Sequence, residues 1–400
     1  MSDNNLELPF WEGFRVWNFD RRADGVWISL IPDPAICAAC SGCGGSCVHV
    51  HETYWRTLRD MPMLGDPVWL QVQFRRLRCD ACGTRTERVV WADRHARITL
   101  RLARFVGVWC EKLPASHVCK LSGLHWETVR NIDRQRLEGK LAALPEAQPT
   151  RLVMDEFALF KGHRYATVVL DADSRQVLWV GEGRSREALG VFFEWLGPAR
   201  CAEIVAVAMD MNTAFDLEVR QHCPNARVVY DLFHVVAKYG REVIDRVRVD
   251  EANRLKGDLP QRKVVKRARW LLLRNSDNIP ADQQPKLDEL LAANEALMTV
   301  YVMKASLKEL WFAGSIWRWR AAWRTWMKMA GDSGIEPLMR FAKKLQPYWR
   351  GIVARVRWPM HTGQLEGINN RIKVMKRMAY GYRDSAFFFL KIKAAYPGNP

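Results

Sequence analysis

Long apolar runs are missing from this 400-residue chain. No stretch reaches the roughly 18 consecutive apolar residues that a membrane-spanning helix needs, which excludes a helical membrane protein. The opening Met-Ser-Asp-Asn-Asn-Leu-Glu has neither a basic segment nor an apolar core, so no secretory leader is expected, and the expected compartment is the cytoplasm. Internal repeats and low-complexity tracts are also lacking. Acidic residues are outnumbered: 44 Asp and Glu stand against 61 Lys and Arg, a net charge of +17. Such an excess points to a polyanionic partner, most simply nucleic acid. Cysteines number 10, and several pair at two-residue spacing, which suggests metal in a reducing compartment rather than a disulfide framework.

What is present is enough for real cores. Apolar residues make up 48% and aromatics 11%, and the length suits two to four domains. The charge is uneven: residues 1–150 carry 20 Lys and Arg against 17 Asp and Glu, and residues 151–400 carry 41 against 27. The texture divides the chain into residues 1–92, cysteine-bearing with strand-like alternation (Val68, Leu70, Val72 and Phe74 on one face); 93–140, helical; and a proline-bearing linker, 141–150. Residues 151–231 read as three β runs followed by alternating helix and strand, the order of an RNase H-like sheet. Residues 232–360 read as an all-helical insertion too long to be a connection. Residues 361–400 return with a helix bearing Glu366. The expected fold class is therefore α+β and multidomain: a zinc ribbon, a helix-turn-helix, and an α/β core interrupted by helices.

Cys40-Ser-Gly-Cys43-Gly and Cys79-Asp-Ala-Cys82-Gly are two Cys-x-x-Cys-Gly knuckles. Two thiolates at this spacing can bind one ion, and the following glycine lets the backbone turn its amides toward sulfur. A structural Zn²⁺ on Cys40, Cys43, Cys79 and Cys82 is expected. Cys37 and Cys47 are possible replacements, since Cys37-Ala-Ala-Cys40 has the same spacing, but only the Cys40/Cys43 pair carries the glycine.

From Leu113 to Asp133 the sequence has helix-turn-helix texture: a short helix over Ala115–Leu121, Gly123 in the turn, and a second helix with Val129 and Ile132 inward. His125, Thr128, Arg130 and Arg134 are candidates to face a DNA major groove. The competing reading is a plain helical spacer.

Asp155 follows the apolar run Arg151–Met154, and Asp210 follows Glu203–Met209. In an RNase H-like sheet these two strands are neighbours. Carboxylates held at strand ends suit a pair of Mg²⁺ or Mn²⁺ ions, the arrangement that phosphodiester cleavage and strand transfer require. Glu366 can approach from its helix. Glu156 and Asp173 compete with Asp155 for the first position, and Asp231 also ends a strand. No Ser or Tyr nucleophile is nominated.

At these residues the sequence resembles bacterial insertion-sequence transposases of the ISL-three family, which use an Asp-Asp-Glu (DDE) triad. The resemblance runs through Arg56-Thr-Leu-Arg-Asp-Met-Pro, Arg75-Arg-Leu-Arg-Cys-Asp-Ala-Cys, Met154-Asp-Glu-Phe, Val207-Ala-Met-Asp-Met, Tyr230-Asp-Leu-Phe-His-Val and Gly363-Gln-Leu-Glu-Gly-Ile-Asn-Asn-Arg-Ile-Lys. It implies Asp155, Asp210 and Glu366 as metal ligands, with Asp231 and His234 as an auxiliary pair. It implies that Asn369, Arg371 and Lys373 face DNA phosphate or the core. His234 also reads plainly as a hydrogen-bonded structural residue. The expected partners are transposon ends and target DNA, with association of protein copies on DNA at the nucleoid. The competing function is an inactive, domesticated DNA-binding repressor; a nuclease that cuts without joining is a third.

Within the helical stretch, Trp319, Trp323 and Trp326 form one stripe, read as core in preference to a base-stacking platform. Arg318, Arg320, Arg324 and Lys328 lie on other faces, and Arg262–Arg269 forms a second basic cluster.

Overall fold

The computed structural model describes residues 10–399, and the amino-terminal segment in which no leader was read lies outside them. The chain forms two compact units: Met1–Ala143 with Val374–Leu390, and Leu144–Lys373 with Lys391–Pro400.

The first unit is built on β1 (Phe14–Arg22), β2 (Gly25–Pro32), β3 (Ala38–Ala39), β4 (Ser46–Cys47), β5 (Val50–Met63), β6 (Asp66–Cys79) and β7 (Gly83–Thr86). The main sheet runs β1-β2-β6-β5, with β7 also on β6, and β3 and β4 make a small ladder. Alternation in β6 buries Val68, Leu70, Val72 and Phe74, as expected, in one cluster with Val26, Ile28 and Leu30 of β2. The β5–β6 hairpin turns on Leu64 and Gly65, both at positive φ (52° and 90°), the two-residue loop whose twist matches paired strands.

The helices α1 (Leu100–Cys110), α2 (Ala115–Ser122) and α3 (Trp126–Ala142) follow. Asp60 of β5, fully buried, ties α1 to the sheet. Its carboxylate accepts bonds from Trp11 Nε1 (2.9 Å), Thr99 Oγ1 (2.6 Å) and Arg101 Nε (2.6 Å). Burial alone would raise its pKa; the bonds from Arg101 and Thr99 outweigh that and hold it below the usual carboxylate range. Gly123 closes α2 at φ 64°, and Val118 and Val129 are fully buried in one cluster with Leu102 and Val106, Leu124 and Ile132 packing against it.

The second unit carries β8 (Arg151–Phe160), β9 (Arg164–Asp171), β10 (Val177–Glu182), β11 (Ala206–Met209) and β12 (Arg227–Tyr230) in the order β10-β9-β8-β11-β12. The first three are antiparallel and the last two join in parallel, which is the RNase H-like order. Two details differ from expectation. β8 does not end at Met154: β9 pairs with it as far as Phe160, so Asp155 sits within the strand. Glu203 lies in a helix, not a strand, because Gly197 at φ 80° and Pro198 start a short α-turn there.

Helices α4 (Arg186–Leu196), α5 (Pro198–Glu203), α6 (Thr213–His222) and α7 (Leu232–Tyr239) complete the α/β part. A π-helical turn, Gly240–Ile244, joins α7 to α8 (Asp245–Arg254). Then come α9 (Leu259–Arg267), α10 (Arg269–Leu273), α11 (Gln284–Ala292), α12 (Glu295–Glu309), α13 (Ile316–Asp332), α14 (Glu336–Leu345) and α15 (Trp349–Val353), before α16 (Gly363–Met378) and α17 (Ser385–Ala395). No strand interrupts this helical stretch among the described residues. Trp319 and Trp326 of α13 are buried and Trp323 is half-buried, so most of the stripe is core. No described helix is long and apolar enough to cross a membrane.

Candidate active site and metal centre

The sulfurs of Cys40, Cys43, Cys79 and Cys82 lie within 4.8 Å of one another. Among the described residues this is the only group of three or more Cys, His, Asp or Glu ligand atoms so gathered. Cys37 is exposed and outside the set; Cys47 is buried beside it but not part of it. The knuckle glycines, Gly44 and Gly83, adopt φ of 76° and 69°, which only glycine takes without strain. Amides of Cys43 and Gly42 lower the pKa of Cys40, and amides of Cys82 and Ala81 bring Cys79 down to about 6. Both therefore favour the thiolate, the form that binds zinc.

In the second unit, β11 pairs with β8 through Ala206↔Arg151, Val207↔Leu152 and Ala208↔Val153. Continuing that register sets Asp210 opposite Asp155. β11 pairs with β12 through Met209↔Tyr230, so Asp231 comes next in the row. Three aspartates thus follow the same level of three adjacent parallel strands.

Their partners differ. Asp155 Oδ1 accepts from the Glu156 amide (2.8 Å), and Oδ2 accepts from Asn369 Nδ2 (2.8 Å). Burial, with the neighbouring charges of Glu156 and Asp210, pushes its pKa up to about 6. Asp210 Oδ2 is 3.3 Å from His234 Nδ1. Burial opposes ionisation of Asp210, but the His234 bond outweighs it and holds the carboxyl below its usual range; that bond raises His234 in turn. Asp231 is buried and occupied: Oδ2 caps α7 by accepting from the Phe233 amide (3.1 Å), and Oδ1 accepts from the Thr362 amide (3.4 Å). It orders the chain beside the site.

The rivals of Asp155 are engaged elsewhere. Asp173 pairs with Arg151 in the β9–β10 turn, and Glu156 with Arg184 (2.7 Å) and Asn212 (3.3 Å). Glu366 stands exposed in the first turn of α16, with no partner among the described residues. It precedes by three residues, and so shares a helix face with, Asn369, which reaches Asp155. It does not close onto the two aspartates as tightly as the four sulfurs close onto each other.

Three of the expected DNA contacts have partners within the protein. Asn369, expected to face phosphate or the core, faces the core: it is 7% exposed, bound to Asp155, and its Oδ1 is buried without a partner. Arg130 and Arg134 do not project freely either. Both pair with Asp384, at the start of α17, and lie against the ring of Phe387. His125 is exposed and caps α3, Thr128 is half-buried, and Arg371 and Lys373 are exposed.

Sequence reading missed a basic cleft of about 620 Å³ on the β5–β7 surface, where Arg56, Arg76, Arg85, Arg94 and Arg97 converge. Arg56 is held by the carbonyls of Arg94 (2.6 Å) and Ala96 (2.5 Å), which leave its charge unneutralised. The available signal was the density of arginine from Arg75 to Arg97, seven residues in that stretch. Asp384 could have been found too, since an Asp just before a helical run is a capping pattern.

Comparison with known proteins agrees with this layout. Residues 152–392 match the ISL3 transposase family, 38–82 the zinc-finger of transposase IS204/IS1001/IS1096/IS1165, and 87–137 the helix-turn-helix domain of transposase family ISL3. The transposase for insertion sequence element IS1001 of Bordetella parapertussis is 50% identical over 404 residues, covering all of both chains. The transposase for IS1557 of Mycobacterium tuberculosis is 26% identical over 409 residues, covering 91% of this chain and 87% of the relative. A zinc ribbon and a helix-turn-helix, both DNA-binding modules, therefore precede an α/β catalytic domain, and the chain belongs to the ISL3 family of insertion-sequence transposases.

Proposed function

We propose that this transposase binds the terminal inverted repeats of its element and carries out cleavage and strand transfer at a two-metal site made by Asp155, Asp210 and Glu366. The observation that carries the reading is the shared level of Asp155 and Asp210 on neighbouring strands, with an unpaired Glu366 on the helix that reaches Asp155 through Asn369. The donor set suits hard divalent cations: two neighbouring carboxylates, a histidine bonded to one of them, and a buried amide oxygen left without a partner. Bound Mg²⁺ or Mn²⁺ would supply activation of the attacking oxygen and stabilisation of the leaving one.

The chain's own residues do the positioning. Asn369 fixes one oxygen of Asp155, and His234 fixes one oxygen of Asp210. Asp231 anchors the turn from which α16 departs. We divide the chain into ribbon (1–92), helix-turn-helix (93–140), linker (141–150), core (151–231 and 361–400) and helical insertion (232–360). His125 and Thr128 face DNA in this scheme, with Arg371 and Lys373 on phosphates near the core. The arginine cleft holds duplex backbone. Two DNA ends must meet, so copies of the chain assemble on DNA.

The test incubates purified protein with Mg²⁺ and a duplex carrying the element's end. Joined products support the reading. Cut products alone would reduce it to a nuclease, and a retarded complex with no cutting would reduce it to a repressor.

A further inference from the structure

The helical stretch holds a second concavity, of about 750 Å³, lined by Trp319, Arg320, Trp323, Arg324, Lys343 and Trp349 among others. Its indoles form a staircase. Trp323 stacks on Trp319 with ring centroids 5.1 Å apart and planes 16° apart, and Trp319 stacks on Trp349 at 6.5 Å and 29°. Trp319 is 1% exposed, yet its Nε1–H has no hydrogen-bond partner. Buried neighbours do better: Trp326 Nε1 donates to Met303 O (3.0 Å), and Trp311 Nε1 to Tyr230 O (3.3 Å). Trp323 is half-buried, and among the described residues no ring other than Trp319 stacks on it. No carboxylate lines the cleft, and Arg320 and Arg324 are exposed and free of ion pairs among the described residues.

A structural core has no use for three cations around its aromatic wall, and a surface for phosphates alone has no use for the wall. Together they match a nucleotide whose base stacks on an indole while its phosphates meet arginine and lysine. We propose that this cleft takes an unpaired nucleobase of DNA against Trp323, with the flanking phosphates on Arg320, Arg324 and Lys343. The inference rests on the chain being a DNA-processing enzyme but not on its carboxylates. Cleavage and single-strand binding can therefore fail separately.

The test uses the full-length protein without added Mg²⁺, and a short oligonucleotide with a central 2-aminopurine, offered single-stranded and as a duplex. Binding of the single strand is expected to quench the 2-aminopurine. Trp323→Ala should remove the quenching and weaken single-strand binding about tenfold, while Trp323→Phe keeps both and duplex affinity stays unchanged. The Arg320→Gln/Arg324→Gln double variant should weaken single-strand binding and lower its salt dependence. A Trp323→Ala protein with the parent's thermal midpoint, affinity and quenching would overturn the proposal. So would altered self-association in place of altered DNA binding. Should Trp323→Ala fail to fold, unchanged single-strand affinity in the double arginine variant would overturn it equally.

Discussion

Cys43 and Cys79, whose sulfurs lie 3.6 Å apart, are separated by 36 residues, and each sulfur pair comes from one glycine-closed turn. Asp155 and Asn369, joined by a hydrogen bond, are separated by 214 residues and belong to a strand and a helix. Each sulfur pair is specified by local spacing, and one hairpin, β5–β6, lies between the two pairs. The carboxylate centre is specified by strand register and by the return of a distant helix, so its parts gather only when the whole second unit is folded. One is a property of a motif, the other of a topology.

That contrast can be tested from the chemistry downward. Asp210→Asn keeps the side chain's shape and removes its charge; strand cleavage should fall by about 10³-fold or more while end affinity stays within twofold in a gel-shift titration. Lost binding with retained cleavage would erase the division between the two units. Cys79→Ser should take bound zinc from one equivalent per chain to near none and weaken end binding on the order of tenfold or more, read by metal analysis and anisotropy. Unaltered end recognition after verified zinc loss would show that the local motif is dispensable.

A smaller effect is expected at Asp60. Asp60→Ala should cost about 3 kcal/mol in the unfolding of the first unit, because it strands Arg101, Thr99 and the Trp11 N–H together. Its folded pKa is depressed, so its contribution is fully present above the ordinary Asp range and fades as pH falls through the folded value. A parent and an Asp60→Asn variant with parallel acid-unfolding curves would contradict this. Smallest is Asp384→Asn, about 0.5 kcal/mol, since the pair is partly exposed. Acid should erase that difference as well, because the amide of Phe387 and the two arginines hold Asp384 below its usual range.

The same contrast explains what was legible in the sequence. Alternation in β6, the paired knuckles and the glycine between α2 and α3 are local patterns, and each was readable. The neighbourhood of Asp155 and Asp210 was legible through element order alone, because three antiparallel strands followed by parallel ones leave few sheet arrangements. What escaped were choices made by tertiary partners. β8 runs past Asp155 because β9 is there to pair with it. Arg130 and Arg134 are held by a carboxylate some 250 residues away, and the choice between phosphate and core at Asn369 is made by the acceptor that Asp155 offers.

Asp231 receives the amide that begins one excursion of the chain and the amide that ends it, at Phe233 and Thr362. The helices between are thus a closed detour whose two ends meet at a single carboxyl group. Closing such a detour costs little more as it lengthens, roughly 0.6 kcal/mol per doubling. The length of the detour therefore bears little on where the helix of Glu366 departs, which the Asp231 carboxyl fixes.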